Sequence, residues 1–178
     1  VDLHNGSIDI MKNLNKYLKP HLQTSMFMTL LLVDWNQKDK KMKWVGAGHE
    51  YLIAYNSSTE AIISIPSGGI ALGMLADNSA QLKEQEIDMN ENDFLILFTD
   101  GIVEAKNVMG ERYDLKGLEN IIKKNANRDM SAEKLFEKIA LDVSRFMEGH
   151  VQEDDMTLIV IKRKEQAKAA TENKSTIW

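Results

Sequence analysis

Two acidic positions in this sequence stand where a buried strand would meet solvent. Asp100 follows the apolar run Phe94–Phe98, which predicts a strand covered on both faces. Asp154 precedes a second apolar run at 158–161. If these two strands are antiparallel neighbours, both carboxylates reach the same edge of one sheet. Two carboxylates at one edge repel each other unless a cation, a proton or an arginine separates them. The pair therefore predicts a site for a hard cation, which prefers oxygen ligands.

The residues around these acids can also be interpreted as purely structural. A lone Asp-Gly pair is more often a turn at a strand end than a metal site, so the case depends on the second acid. Gly101 would permit a sharp backbone change directly after Asp100. His49 follows two glycines at a predicted strand end, where a histidine is more often a structural hydrogen-bonding residue than a ligand. We therefore leave His49 out of the candidate site.

Composition limits the classes of protein to which the chain can belong. Its 178 residues are enough for one domain, with 43% apolar and 28% charged residues. The net charge of −5 argues against a general nucleic-acid binder. There are no cysteines, which excludes disulfides and thiolate metal sites and agrees with a cytoplasmic location. No apolar run approaches the roughly 20 residues of a membrane span, so we expect no membrane contact by this domain.

Hydrophobic periodicity supplies the elements that would position the two acids. Helical spacing predicts helices at 7–18, 115–124 and 131–147. Apolar or alternating runs predict strands at 24–35, 42–47, 51–55, 61–65, 81–89, 94–98 and 158–161. The charged loop 36–41 predicts a hairpin between 24–35 and 42–47. We expect both faces of 24–35 to be covered and 51–55 to be half buried.

The helix at 131–147 has the clearest apolar face. We expect Phe136, Ile139, Val143 and Phe146 to be buried against a sheet. Consecutive strands with short connections indicate antiparallel sheets, and helices near both ends of the chain must cover their outer faces. The predicted fold class is therefore an α+β sandwich.

Four short motifs then resemble a known family. In chain order they are GAGH at 46–49, LG at 72–73, TDGIVEAKN at 99–107 with GE at 110–111, and DDMT at 154–157. Together they are similar to the metal-dependent serine/threonine protein phosphatases of type 2C. More narrowly, they resemble the bacterial branch of sporulation and stress-response phosphatases, over residues 7–164.

The resemblance implies a four-layer α/β/β/α sandwich with two Mn²⁺ or Mg²⁺ ions between the sheets. Matched by motif, Asp100 and Asp154 are the metal ligands, while Gly101 and Asp155 support them. No side chain is assigned a direct catalytic role, because a metal-bridging water attacks the phosphorus of a phosphoserine or phosphothreonine. The implied substrate is a phosphoprotein, an anti-sigma-factor antagonist in this branch of the family.

One motif of the family is missing from the sequence. The family carries an early Asp-x-x-Gly-His-Gly whose Asp bridges both metals, and the segment 2–6 is a poor match to it. The chain also begins at Val1 without a methionine. We therefore expect an N-terminally truncated domain at 1–164, a disordered polar tail at 165–178, and a sensor domain before Val1 in a longer protein. The isolated chain is then expected to have little or no activity.

Two other functional readings remain beside the phosphatase. The chain could be a binding or regulatory module that keeps the fold without catalysis. The sequence leaves open whether the protein forms a homodimer. A dehalogenase-like phosphatase, in which an Asp after a strand is the nucleophile, would need alternating strands and helices. The consecutive strands predicted between 24 and 65 argue against that fold.

Overall fold

The computed structural model of the protein describes residues 6–23 and 25–165. Its helices are α1 (Ser7–Leu18), α2 (Asp100–Val103), α3 (Asp114–Asn125) and α4 (Ala132–Phe146). Its strands are β1 (Leu30–Asn36), β2 (Lys41–Ala47), β3 (Tyr51–Asn56), β4 (Ala61–Pro66), β5 (Glu84–Asp88), β6 (Phe94–Phe98) and β7 (Leu158–Lys162). Each predicted helix and strand is present, with bounds that differ by a few residues for most of them.

One sheet contains β1, β2 and β5 in the order β1-β2-β5. The predicted hairpin is confirmed, because β1 pairs antiparallel with β2 from Leu30 opposite Ala47 to Asn36 opposite Lys41. The strand predicted at 24–35 is shorter than expected, since 25–29 make only an isolated bridge from Met28 to Leu72. The expected coverage of both its faces is confirmed, because Leu31 and Val33 pack between the sheets while Leu30 and Leu32 pack toward α1. The burial is partial because β1 lies at a sheet edge, and Trp35 at its end is exposed.

The second sheet has the strand order β4-β3-β6-β7, and all its neighbours are antiparallel. The expectation that 51–55 is half buried is wrong, because residues 52–55 are all buried. Strand β3 lies inside the sheet, and apolar clusters cover both its faces. In the same strand order, β6 is also interior and β7 lies at an edge.

Three apolar clusters separate four layers. The first packs α1 on the smaller sheet and includes Met11 and Val45. The second fills the space between the sheets and includes Trp44 and Leu95. The third, which includes Ile96, joins the larger sheet to α3 and α4. The predicted α/β/β/α sandwich of two antiparallel sheets flanked by helices is thus confirmed.

Helix α4 begins as predicted and buries a narrower face than predicted. Ser131 caps it by accepting a hydrogen bond from the Lys134 N–H at 3.1 Å. Its buried side chains are Leu135, Ile139 and Val143. The burial expected for Phe136 is wrong: this side chain is 41% exposed, because it lies to one side of the buried stripe.

Phe146, the last member of the predicted face, is half buried. Its ring packs edge-on against Tyr113, with ring centroids 5.3 Å apart. The expectation of full burial at this position is therefore also wrong. The helix end is held by this aromatic contact rather than by enclosure in the core.

Some sequence predictions fall outside the described residues. These are the first residue of the predicted strand 24–35, most of the segment compared with the missing motif, and the predicted polar tail beyond Glu165. Between residues 6 and 165, with Thr24 excepted, no helix has the length and apolar character needed to cross a membrane.

The burial difference on α4 predicts unequal effects of two truncations. Ile139→Ala should lower the free energy of unfolding by about 2–5 kcal/mol, since Ile139 is fully buried. Phe136→Ala, the matched control on the same helix, should cost less than about 2 kcal/mol, because much of the ring already contacts water. Urea unfolding of both variants measures the difference. Equal losses would contradict this account of the face that α4 buries.

Candidate functional site

The predicted acidic positions lie at one end of the larger sheet. Strand β6 ends at Phe98, which pairs with Leu158 at the start of β7. Asp100 follows β6 and Asp154 precedes β7, so antiparallel pairing brings their backbones to the same edge. The neighbouring strands contribute the start of β3 at Tyr51, paired with Pro66 at the end of β4. Strand order therefore brings these chain segments to the same end of the sheet.

Hydrogen bonds extend the β6–β7 contact one residue beyond the strands. The Thr99 N–H donates to the Thr157 carbonyl at 3.1 Å. The Thr157 N–H donates in turn to the Thr99 hydroxyl at 2.9 Å. That hydroxyl also donates to the Asp155 carbonyl at 3.1 Å. The loop that carries Asp154 is thus fastened directly to the end of β6.

Close backbone contact at Gly101 brings the two acidic segments together. A methyl group on Gly101 would lie 2.5 Å from the Asp155 carbonyl oxygen and 3.5 Å from the Asp154 carbonyl carbon. The reason given above for Gly101 is therefore incomplete, since its φ lies outside the left-handed region. Glycine is required here because the acidic loop passes directly over its Cα.

The carboxylates of the site point toward water. Asp100, Asp154 and Asp155 are all exposed. Asp100 accepts a hydrogen bond from the Gly101 N–H at 3.0 Å, and Asp154 accepts one from the Asp155 N–H at 2.7 Å. Each of these two carboxylates therefore keeps lone pairs free for a ligand. Among residues 6–23 and 25–165, no group of three or more His, Cys, Asp or Glu side chains converges.

An ion pair that the sequence did not predict also fastens the acidic loop. Lys106 donates to Glu153 with its Nζ 2.6 Å from Oε2. This hydrogen bond lowers the pKa of the Glu153 carboxyl, and the positive charge of Lys106 adds to the effect. His150 lies on the other side of Glu153, at 3.8 Å. Lys106 and Glu153 are 47 positions apart, so local sequence patterns carried no signal for this ion pair.

The GAGH motif at 46–49 and the loop that follows β4 lie next to each other beside the start of β3. A methyl group on Gly46 would overlap the backbone of Ser67, so the two loops touch through their main chains. The Ser67 hydroxyl donates to the His49 carbonyl. This hydrogen bond holds the backbone of His49.

A groove of about 680 Å³ runs along α4 beside the start of β7. Its lining is mostly apolar, and Glu148 is the one carboxylate among the residues that line it. Such a surface suits apolar groups, whereas hard cations need several oxygen ligands. The groove is therefore a poor match for a cation site.

The close contact at Gly101 predicts a local effect of one added methyl group. Gly101→Ala should displace the acidic loop and change the amide chemical shifts of residues 153–157 in two-dimensional NMR spectra. Gly6→Ala is the matched control, because no atom lies within 4 Å of a methyl group there. Unchanged shifts in 153–157 for Gly101→Ala would show that the loop does not rest on this glycine.

Sequence comparison identifies relatives over most of the chain. The profile of the Stage II sporulation protein E (SpoIIE) family matches residues 3–164. The phosphoserine phosphatase RsbU of Bacillus subtilis is 27% identical over 157 residues, which is 87% of this chain and 44% of RsbU. The chain therefore spans less than half the length of this curated relative.

Solved structures share the fold. The PP2C phosphatase domain of B. subtilis SpoIIE, solved with a fragment of its regulatory domain, superposes with a TM-score of 0.74 at 20% identity. That match covers 93% of this chain and 45% of the other. A manganese-presoaked phosphatase domain of the same protein gives a TM-score of 0.64 at 18% identity, covering 94% of this chain and 70% of the other. At these identities the similarity establishes the fold.

Proposed function

We propose that this chain, which belongs to the Stage II sporulation protein E (SpoIIE) family, takes part in hydrolysis of phosphoserine or phosphothreonine in a protein. The observation that carries the proposal is the meeting of Asp100 with the Asp154–Asp155 segment at the end of two paired strands. The phosphoserine phosphatase activity named for RsbU agrees with it.

The proposed metal ligands are Asp100 and Asp154, with Gly101 and Asp155 in support. The donor set fits Mn²⁺ or Mg²⁺, because both acids are exposed carboxylates and both ions prefer oxygen ligands. When bound, the metal supplies an activated water and neutralises phosphate charge. The chain's own contribution is to hold Asp100 at the start of α2, and Asp154 in the loop whose Asp155 carbonyl lies directly over Gly101.

Charge limits how much of the centre these residues can form. Two carboxylates contribute −2, whereas two divalent ions contribute +4. Because no group of three or more potential ligand side chains is found among the described residues, a second ion beside the first would meet strong repulsion. We therefore propose that Asp100 and Asp154 hold one ion and that full activity requires a carboxylate from outside 6–165. The family motif Asp-x-x-Gly-His-Gly is the expected source.

The biological setting is proposed from the family. The substrate would be a phosphorylated anti-sigma-factor antagonist, and the regulatory input would come from a sensor domain elsewhere in a longer protein. A cytoplasmic location suits a chain without cysteine. The four-layer domain at 1–164 would then be the catalytic unit.

A second candidate function is a binding or regulatory module with the phosphatase fold. The observation that favours it is that no group of three or more His, Cys, Asp or Glu side chains able to hold a metal is found among the described residues. A module of this kind would bind a phosphoprotein or a divalent ion without turnover. Metal binding and hydrolysis must therefore be measured separately.

The metal-site proposal predicts that Mn²⁺ binding depends on both acids. Calorimetric titration of the chain with Mn²⁺ should give about one ion per molecule. Asp100→Asn and Asp154→Asn should each weaken binding at least about tenfold, because each removes a negative ligand while keeping the shape of the side chain. Asp129→Asn is the matched control, an exposed Asp in the connection between α3 and α4.

Other results of this titration would change the assignment. Unaltered affinity in both site variants would show that Mn²⁺ binds elsewhere. Loss in Asp129→Asn as large as in the site variants would indicate general attraction to a negative surface. A loss in Asp155→Asn but not in Asp154→Asn would exchange the roles given to these two residues.

The charge argument predicts very slow hydrolysis by the chain alone. With a phosphoserine peptide and saturating Mn²⁺, turnover should stay far below the roughly 1–1,000 s⁻¹ typical of enzymes. A longer protein that supplies the Asp-x-x-Gly-His-Gly segment should be active, and Asp100→Asn in it should abolish most of the gain. Phosphate release measures turnover by the chain, by the longer protein and by the Asp100→Asn variant of the longer protein. Full turnover by the chain alone would contradict the proposed ligand set, and an inactive, metal-saturated longer protein would favour the binding module.

A further inference from the structure

We propose that Thr99 is the positioning residue for the second metal ligand, Asp154. Its hydroxyl fastens the acidic loop to the end of β6 and so sets the location of Asp154 relative to Asp100. The inference rests on the proposed metal site and assigns to Thr99 a role that is not direct ligation.

The hydroxyl of Thr99 is engaged on both sides. It accepts from the Thr157 N–H at 2.9 Å and donates to the Asp155 carbonyl at 3.1 Å. These partners lie 58 and 56 positions away in the chain. Both bonds therefore join the two segments of the proposed site, and neither stabilises Thr99's own turn.

This use of the hydroxyl departs from what its position favours. Thr99 is the N-cap residue of α2, where a threonine side chain usually accepts a hydrogen bond from the first turn of the helix. Here α2 receives no hydrogen bond from that side chain. The Thr99 side chain bonds the loop before β7 and does not cap α2. This is expected if the position of that loop is important for metal binding.

Asp154 lies between two fastened neighbours. Glu153 pairs with Lys106, and Asp155 is held by Thr99. The ion pair joins two long side chains that are 33% and 57% exposed, so it adds little rigidity. The Thr99 contact is also open to water, but it joins a short side chain directly to backbone groups of Asp155 and Thr157. The hydroxyl contact is therefore the more rigid of the two, and its loss should free Asp154 most.

The chemistry explains why a mobile Asp154 would bind metal poorly. A cation held by two carboxylates gains full attraction only when both are in place, and each degree of freedom restrained on binding reduces affinity. Removing a group that orients a ligand typically lowers metal affinity 10–100-fold. We expect about a tenfold loss for Thr99, because Lys106 still holds the other side of the loop.

A set of threonine variants tests this role. Thr99→Val keeps the branched shape and removes the hydroxyl, whereas Thr99→Ser keeps the hydroxyl. Thr157→Val makes the same change in the partner, which joins the contact through its backbone N–H and carbonyl. Mn²⁺ affinity should fall about tenfold in Thr99→Val and stay near the unaltered value in Thr99→Ser and Thr157→Val.

A metal-free readout separates this inference from the metal site itself. Amide hydrogen exchange at Thr157 in the apo protein should become faster in Thr99→Val, because the acceptor of its N–H is gone. Thr99→Ser should restore slow exchange. Exchange of amides within β3 and β6 serves as the internal control and should not change.

The outcomes are distinguishable. Unchanged Mn²⁺ affinity in Thr99→Val, with affinity lost in Asp100→Asn and Asp154→Asn, would overturn the role of Thr99 and leave the metal site intact. Unchanged affinity in both aspartate variants would overturn the metal site, and the role of Thr99 with it. An affinity loss in Thr99→Ser equal to that in Thr99→Val would show that shape and not the hydroxyl matters, which also overturns the inference.

Discussion

The antiparallel pairing of β6 with β7 brings Asp100, after β6, and the Asp154–Asp155 segment, before β7, to the same end of the sheet. Its register is fixed by burial: Leu158 and Val160 pack toward the helices, while Ile161 packs between the sheets. A slip of one residue would reverse these directions and expose both apolar faces. The register in turn sets where β6 ends and where β7 begins. The hydrophobic core therefore determines how near Asp100 and Asp154 come to each other.

The end of the sheet combines precise backbone placement with exposed charge. Gly101 lets the acidic loop pass within contact of the start of α2, and Thr99 joins the loop to β6. The carboxylates themselves remain in water, where two like charges are tolerated at modest cost because the solvent screens them. A phosphate brought to the same edge would be repelled by these carboxylates. A divalent cation removes that repulsion, so the geometry is consistent with a metal-dependent reaction on a phosphorylated substrate.

Much of this arrangement could be predicted from the sequence because its signals are local. The apolar runs beside Asp100 and Asp154 marked strand ends. That the two strands are antiparallel neighbours was only a condition of the prediction, and the structure shows that it holds. Phe136 was predicted wrongly because helical spacing cannot tell whether the position beside a buried stripe faces a layer or an open sheet edge. The bonds of Thr99 and the Lys106–Glu153 pair depend on residues far apart in the chain. The need for a glycine at position 101 likewise depends on the close approach of the Asp155 carbonyl, which only the folded structure shows.

The account depends most on one ion being shared by the two carboxylates. A crystal of the chain soaked in Mn²⁺ and measured at the manganese absorption edge would locate the ion by anomalous scattering. The account predicts one strong peak in contact with carboxylate oxygens of both Asp100 and Asp154. A peak bound by other side chains, or no peak at this edge of the sheet at saturating Mn²⁺, would contradict it.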